Sequence, residues 1–267
     1  MIDGIDFSNA TLGASLFDVK QIEVLRGPQG TTFGANALAG VVAVESNEPT
    51  KETEGHVEAT VGNYNTSAIG AAVGGTLIED TLLGRFSIFK NRSDGFIRNS
   101  YLDREDTNNI DELTAKAKLK WFVAEDHTVD MTFMHIDNDN GYDAFNQSNN
   151  RTTQSDQPGK DTQKTNAFAL KSVYQITPDF HLETSISHSN SEIEYSYDED
   201  WTYTGAYYTS FDQYLRDKKQ TDFDIRLVSD EEGKIFSRTT DWTLGAYYKK
   251  YDSELVRNNT YFIAPFL

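Results

Sequence analysis

Asp111-Glu112-Leu113-Thr114-Ala115-Lys116-Ala117-Lys118-Leu119-Lys120-Trp121-Phe122 decides the fold class. In an extended chain successive side chains point to opposite faces, so Leu113, Ala115, Ala117, Leu119 and Trp121 share one face. Thr114, Lys116, Lys118 and Lys120 share the other. A period of 3.6 would scatter the same residues around a helix axis. The stretch reads as a strand with one apolar and one cationic face.

The pattern recurs at Val129, Met131 and Phe133; at Phe168, Leu170, Tyr174 and Ile176; at Phe180, Leu182 and Ile186; at Phe223, Ile225 and Leu227; and at Trp242, Leu244, Ala246 and Tyr248. The connections between these strands alternate in length. Short turns are expected at 77–81, 124–127, 177–179 and 230–234, and long loops at 92–109, 137–163 and 197–217; only 62–65 breaks the alternation. A polar tract at 146–164 reads as a mobile loop. Up-and-down strands with short turns at one end and long loops at the other are the pattern of outer-membrane barrels. About nine strands fit between Glu54 and Arg257, and an odd number does not close a bacterial single-chain barrel.

Composition agrees with an all-β chain, since aromatic residues make up 12% of it and favour strands. A formal net charge of −18 repels nucleic acid and other polyanions. The absence of cysteine removes disulfides and thiolate metal sites and leaves the redox compartment unread. No apolar run approaches the roughly 18 residues of a membrane-spanning helix, but barrel strands need only alternate. No export signal opens the chain, so an exported protein of this sequence is expected to have its natural N-terminus further upstream.

The first fifty residues are of different character, rich in Gly, Ala, Val and Leu, with short apolar runs at 22–25 and 40–44 suited to a compact globular unit. The polar stretch Glu48-Pro49-Thr50-Lys51-Glu52-Thr53-Glu54 reads as a linker. Two domains are expected, 1–50 and 51–267. Within the first, Gly27, Gly30, Gly34 and Gly40 permit tight turns and Pro28 fixes φ and removes a donor.

The string from Phe17 to Gly34, with Ile22-Glu23-Val24-Leu25-Arg26-Gly27-Pro28-Gln29-Gly30 at its centre, continues through Asn36 to Val42 and closely resembles the end of the plug of TonB-dependent outer-membrane receptors. Gly55 to Asn65 and Asn91 to Asn99 resemble the barrel entry of the same family. Ala35 and Glu45 depart from it, standing where members often carry a basic and a hydrophobic residue. The resemblance implies the C-terminal part of a plug followed by the N-terminal half of a transmembrane, antiparallel, up-and-down β-barrel, about nine of about 22 strands. It also implies a bacterial outer-membrane location, lipid around the wall, an inner-membrane TonB complex as energy source, and an extracellular ligand such as a ferric siderophore. Its plug charges face charges on the barrel wall, which makes Glu23 and Arg26 candidates for a plug–barrel lock. An ordinary local ion pair is the competing reading.

Tyr142, Phe145, Trp201, Tyr203 and Tyr207 fall in the expected long loops, where aromatic rings can grip a ligand. The interfacial aromatic girdle is the alternative for them and the better reading for Trp121 and Trp242. The glycine-rich segment lacks the Gly-Lys-Ser/Thr ending of a phosphate cradle, and the acids at 137, 139 and 143 lack the spacing of a calcium loop. The five histidines show no ligand spacing, and no nucleophile, histidine and acid set presents itself. The function that the resemblance implies is active uptake of a scarce nutrient, an iron–siderophore complex first, and no catalytic residues, cofactor or resident metal are expected. Cobalamin or an oligosaccharide as cargo, a passive porin or adhesin, and a soluble β-sandwich are the alternatives.

Overall fold

The computed structural model describes residues 1–7, 13–30, 39–146, 148–203 and 208–263. Gly34 and Tyr207 lie outside them. Two units follow one another. A small antiparallel hairpin pairs β1 (Val19–Arg26) with β2 (Gly40–Ser46). Gly27, at φ 86°, turns the chain out of β1, and opposite Arg26 a Cβ on Gly40 would stand 2.6 Å from the Leu25 carbonyl oxygen, so only glycine fits there.

The second unit is one antiparallel nine-stranded sheet. Its strands are β3 (Glu54–Val61), β4 (Ser67–Ile78), β5 (Leu82–Ser93), β7 (Ile110–Ala124), β8 (His127–Tyr142), β10 (Gly159–Thr177), β11 (Phe180–Asp198), β12 (Tyr208–Ser229) and β13 (Thr243–Ile263). Each strand pairs with the next in sequence, and β3 and β13 form its two edges among the described residues. Two-residue strands β6 (Arg98–Asn99) and β9 (Thr152–Thr153) pair in parallel and tie two of the long connections together.

Several expected loops are shorter than the sequence suggests. The strand β8 runs on to Tyr142, β10 starts at Gly159 and β12 starts at Tyr208, so parts of the expected loops 137–163, 146–164 and 197–217 are strand. The reason is length: β11, β12 and β13 have 19, 22 and 21 residues, whereas about 9 to 11 cross a bilayer. Above the membrane both faces of a strand meet water or polar neighbours, and the alternation that marks a strand disappears. In the other direction, the expected turn at 230–234 is the start of a longer connection, because β13 begins only at Thr243.

The register traces an apolar belt on the outward face of the sheet. One outward row, Leu119, Met131, Leu170, Ile186, Phe223 and Tyr248, is apolar on every strand from β7 to β13. A row nearer the outer rim runs Val57, Ala71, Ile88 and Ala115, then His135, Asn166, Asn190, Lys219 and Asp252. It is apolar on the first four strands and polar on the last five. A belt perpendicular to the barrel axis crosses the hydrogen-bonded rows obliquely when strands tilt by roughly 35 to 45°, and this row leaves the belt half-way round.

The inner face is polar, with Lys116, Lys118, Thr132, Gln163, Ser187 and Gln220 all buried. An apolar patch interrupts it where Met134 and Ile136 of β8 and Ala167 and Ala169 of β10 pack against Ile2, Ile5, Phe7 and Val44 of the first unit. The small side chains of Ala167 and Ala169 let that unit come close to the wall.

Candidate functional site: plug seat and outer vestibule

The first unit sits on the concave face of the sheet through a cationic seat. Arg85 of β5 grips Asp18 with two parallel bonds, Nη2 to Oδ1 at 2.6 Å and Nε to Oδ2 at 2.9 Å, and both side chains are buried. Its Nη1 reaches Glu54 at 3.1 Å. Asp18 holds a left-handed backbone, φ 58°, and accepts a further bond from Asn47 Nδ2 at 2.8 Å. Burial pushes its carboxyl up, but the bonds from Arg85 and Asn47 outweigh it and hold it below the ordinary carboxylate range.

The lysines on the polar face of β7 complete the seat. Lys116 Nζ donates to the Phe17 carbonyl oxygen at 3.0 Å and to Ser46 Oγ at 2.7 Å. Lys118 Nζ pairs with Glu48 at 2.6 Å and with Asp3 at 3.4 Å, and Asp3 takes the Ser46 N–H and hydroxyl at 2.8 and 2.7 Å. Farther round the wall Lys249 of β13 pairs with Asp6 at 2.7 Å. Between these contacts lies a cavity of about 460 Å³, lined by Asp3, Asp6, Lys118, Lys120, Asp222 and Arg226 together with apolar Leu119, Leu170 and Ile186. Beside the apolar patch at Met134, Ile136, Ala167 and Ala169, the seat has a second apolar contact in Phe17, whose ring lies 4.9 Å from His56 and 5.6 Å from Phe89. It fills the notch left by Gly70, where a Cβ would come within 2.4 Å of Phe17 Cε2.

Glu23 and Arg26 are elsewhere. Both lie exposed on β1, Glu23 accepts a bond from Gln21 at 3.2 Å, and neither pairs with a wall charge among the described residues. Pro28 and Gly30, both exposed, follow the half-buried turn at Gly27.

Six residues up each strand from the seat, on the same inner face, one row carries Asn140, Asp161, Tyr195, Tyr214 and Arg257. Tyr142 joins it, its ring 5.0 Å from Tyr195 and 5.7 Å from Phe145. Phe145 stacks on Trp201 at 5.3 Å. The guanidinium groups of Arg216 and Arg257 each lie 5.2 Å from the Tyr214 ring, and Arg257 grips Asp212 at 2.6 and 2.8 Å. Tyr203 stands apart from this group, stacked on Tyr101 of another connection at 4.8 Å. The fold thus gathers Tyr142, Phe145 and Trp201 into one aromatic and arginine-bearing vestibule at the outer mouth. Tyr195, Tyr197, Tyr214, Arg216 and Arg257 belong to it too, and sequence reading missed them because they sit within long strands. Among the described residues, no three His, Cys, Asp or Glu side chains are placed to hold a metal ion.

The family model of the TonB-dependent Receptor Plug Domain matches residues 1–41, which include Asp3, Asp6, Phe17 and Asp18 of the seat. Residues 1–41 thus match the plug of TonB-dependent receptors, and the chain as a whole is similar to receptors of that family. The receptor is an outer-membrane barrel protein, and its family is one of transport receptors. It is 24% identical over 132 residues to the pesticin receptor of Yersinia enterocolitica, covering 49% of this chain and 20% of that protein. It is 26% identical over 148 residues to the vitamin B12 transporter BtuB of Vibrio vulnificus, covering 53% of this chain and 24% of that one. The receptor therefore spans under a quarter of the curated relatives it matches. In architecture it is similar to the ferric yersiniabactin uptake receptor FyuA from Yersinia pestis, with a TM-score of 0.80 at 19% identity, over 98% of this chain and 40% of that one. The siderophore receptor PiuA from Acinetobacter baumannii gives 0.72 at 15%, over 95% and 38%.

Proposed function

We propose that the receptor captures a bulky, scarce ligand in the outer vestibule and passes it inward when residues 1–50, as plug, are displaced from the wall formed by residues 51–267. The observation that carries this reading is the stacking of two separate functions on one inner face. An aromatic and arginine surface lies above, and the charged groups that hold residues 1–50 lie six residues below it. Rings and guanidinium groups suit a ligand with aromatic and anionic parts, the chemistry of many iron chelates. A ferric siderophore is the first candidate cargo.

The seat suits displacement. Its ionic bonds are strong in place yet find replacement partners in water once separated, unlike a continuous hydrophobic core. Asp18 with Arg85, and Lys116 and Lys118 with Ser46, Asp3 and Glu48, are the groups we assign to the lock, in place of Glu23 and Arg26. The pull would come from an inner-membrane TonB complex. A cobalamin cargo is the second reading, favoured by the likeness to a vitamin B12 transporter.

Equilibrium binding to the full-length receptor in lipid, with ferric yersiniabactin and cyanocobalamin as probes, tests the reading. Saturable binding of one probe that weakens on Phe145→Ala supports it. Binding of neither, or binding indifferent to the vestibule, counts against it.

A further inference from the structure

The row of Leu119 gives the hairpin ends a common reference. It continues through Gly84 to Gly75 on one side and through Leu170 and Phe223 to Tyr248 on the other. Beyond this row β4 runs on for three residues, to Ile78, β7 for five, to Ala124, and β10 for seven, to Thr177. Such a step from hairpin to hairpin is what tilted strands need to end at one level. By the same step β12 would run on for about nine, but it stops after six, at Ser229. The connection 230–242 takes up the remaining height of the wall.

It is tied there. The Asp230 N–H donates to the carbonyl of Asp179 in the neighbouring turn at 2.7 Å. The indole N–H of Trp242, which continues the outward row of Leu244 and Ala246, donates to the Gly233 carbonyl at 2.9 Å. From this base the tip 235–240 projects as a closed loop. Ile235 and Thr240 exchange backbone bonds at 3.0 and 3.3 Å, and Thr239 Oγ1 donates to the Phe236 carbonyl at 2.7 Å. Phe236, Ser237 and Arg238 hold left-handed backbones, φ 49°, 60° and 67°, and such a run without glycine persists only where its surroundings hold it. What the loop presents is Phe236, 76% exposed, with Ile235 at 43%.

Composition sets this tip apart from the other three hairpin ends on that side of the sheet. Those carry acids, Glu79 with Asp80, Glu125 with Asp126, and Asp179. Here Asp230, Glu231, Glu232 and Asp241 all stand at the base, where Lys234 pairs with Glu231 at 2.7 Å and with Asp241 at 3.6 Å. The tip holds no acid, and its cation, Arg238, pairs with no carboxylate among the described residues. An exposed apolar pair beside an unmatched guanidinium, at the level where the outward apolar belt ends, fits the boundary between acyl chains and headgroup phosphates.

We propose that the tip 235–240 is a lipid anchor, in which Phe236 and Ile235 enter the inner leaflet of the outer membrane and Arg238 binds phospholipid phosphate. The side chains of an aromatic girdle stand on the strands, whereas this contact is made by the connection itself. The inference goes beyond the uptake reading and holds whatever the cargo.

The chain contains no cysteine, so a nitroxide can be placed by Phe236→Cys in the full-length receptor, made free of other cysteines and reconstituted in vesicles of phosphatidylethanolamine and phosphatidylglycerol. The label is itself apolar and replaces the ring without removing what inserts. Its oxygen-to-nickel accessibility ratio should be several-fold above that of a label placed by Glu125→Cys in an acidic hairpin end, and Arg238→Glu should lower it. A label at 236 as open to nickel as the one at 125 overturns the anchor and leaves the tip to a periplasmic protein. One closed to both reagents also overturns it, because the tip would then be packed against the receptor. A ratio that ignores Arg238→Glu overturns the phosphate contact.

Discussion

Asp18 of the plug and Arg85 of the wall meet through two hydrogen bonds, 2.6 and 2.9 Å, with side chains only 2% and 5% exposed. Removing one partner strands the other charge out of water, and such a loss costs about 3 to 5 kcal/mol. Arg85→Met in the full-length receptor should release the plug at lower urea concentration, read as ion conductance through reconstituted bilayers. Asp18→Asn added to Arg85→Met should recover part of the loss, because no buried charge is then left alone.

The same pair sets a pH limit on plug docking. The Asp18 carboxyl is held below its ordinary range in the docked state, so it contributes stability above about pH 4, and that contribution disappears as pH falls through the lowered value. Plug release in fixed urea should steepen below about pH 4 in the wild type. In Asp18→Asn the steepening should be reduced.

Phe17 and Gly70 make a knob and notch. A Cβ at Gly70 would stand 2.4 Å from the Phe17 ring, so Gly70→Val should weaken plug seating by about 1 to 3 kcal/mol through overpacking. Phe17→Ala in the Gly70→Val background should restore part of it, which a general defect in β4 would not allow.

In the vestibule, Phe145→Ala removes the stacking partner of Trp201. An aromatic pair is worth about 0.5 to 1.5 kcal/mol, which corresponds to roughly 2- to 12-fold weaker binding of the cognate ligand by isothermal titration. Phe236→Ala, exposed in the connection before β13, should leave the affinity unchanged.

Much of this architecture is legible in the sequence because a single period carries it. The alternation at Leu113–Trp121 needs only one face in lipid, and the glycines at 27 and 40 mark turns that no other residue enters easily. Strand ends were less legible. From Asp137 to Asp143 and from Lys164 back to Gly159 the outward residues are polar because the strands have left the hydrocarbon, and polarity there looks like loop. The seat was half legible: Lys116, Lys118 and Lys120 stand out as a cationic face in a chain of net charge −18, but which plug carboxylates they meet depends on how the hairpin lies across the wall. Glu23 and Arg26 stand within the most recognisable stretch, yet β1 presents them away from these strands. Tyr142, Phe145 and Trp201 were selected as loop aromatics, and the register explains why they converge with Tyr195 and Tyr214.

Oxygen and nickel accessibility of nitroxides placed one at a time along the row Val57, Ala71, Ile88, Ala115, His135, Asn166, Asn190, Lys219 and Asp252, in the lipid-reconstituted full-length receptor, tests the lipid-facing belt most directly. The first four positions should be oxygen-rich and closed to nickel, as in hydrocarbon, and the last five open to nickel, as in water. Nine positions that behave alike, or a first four shielded from both reagents as in a packed sandwich, would contradict the account.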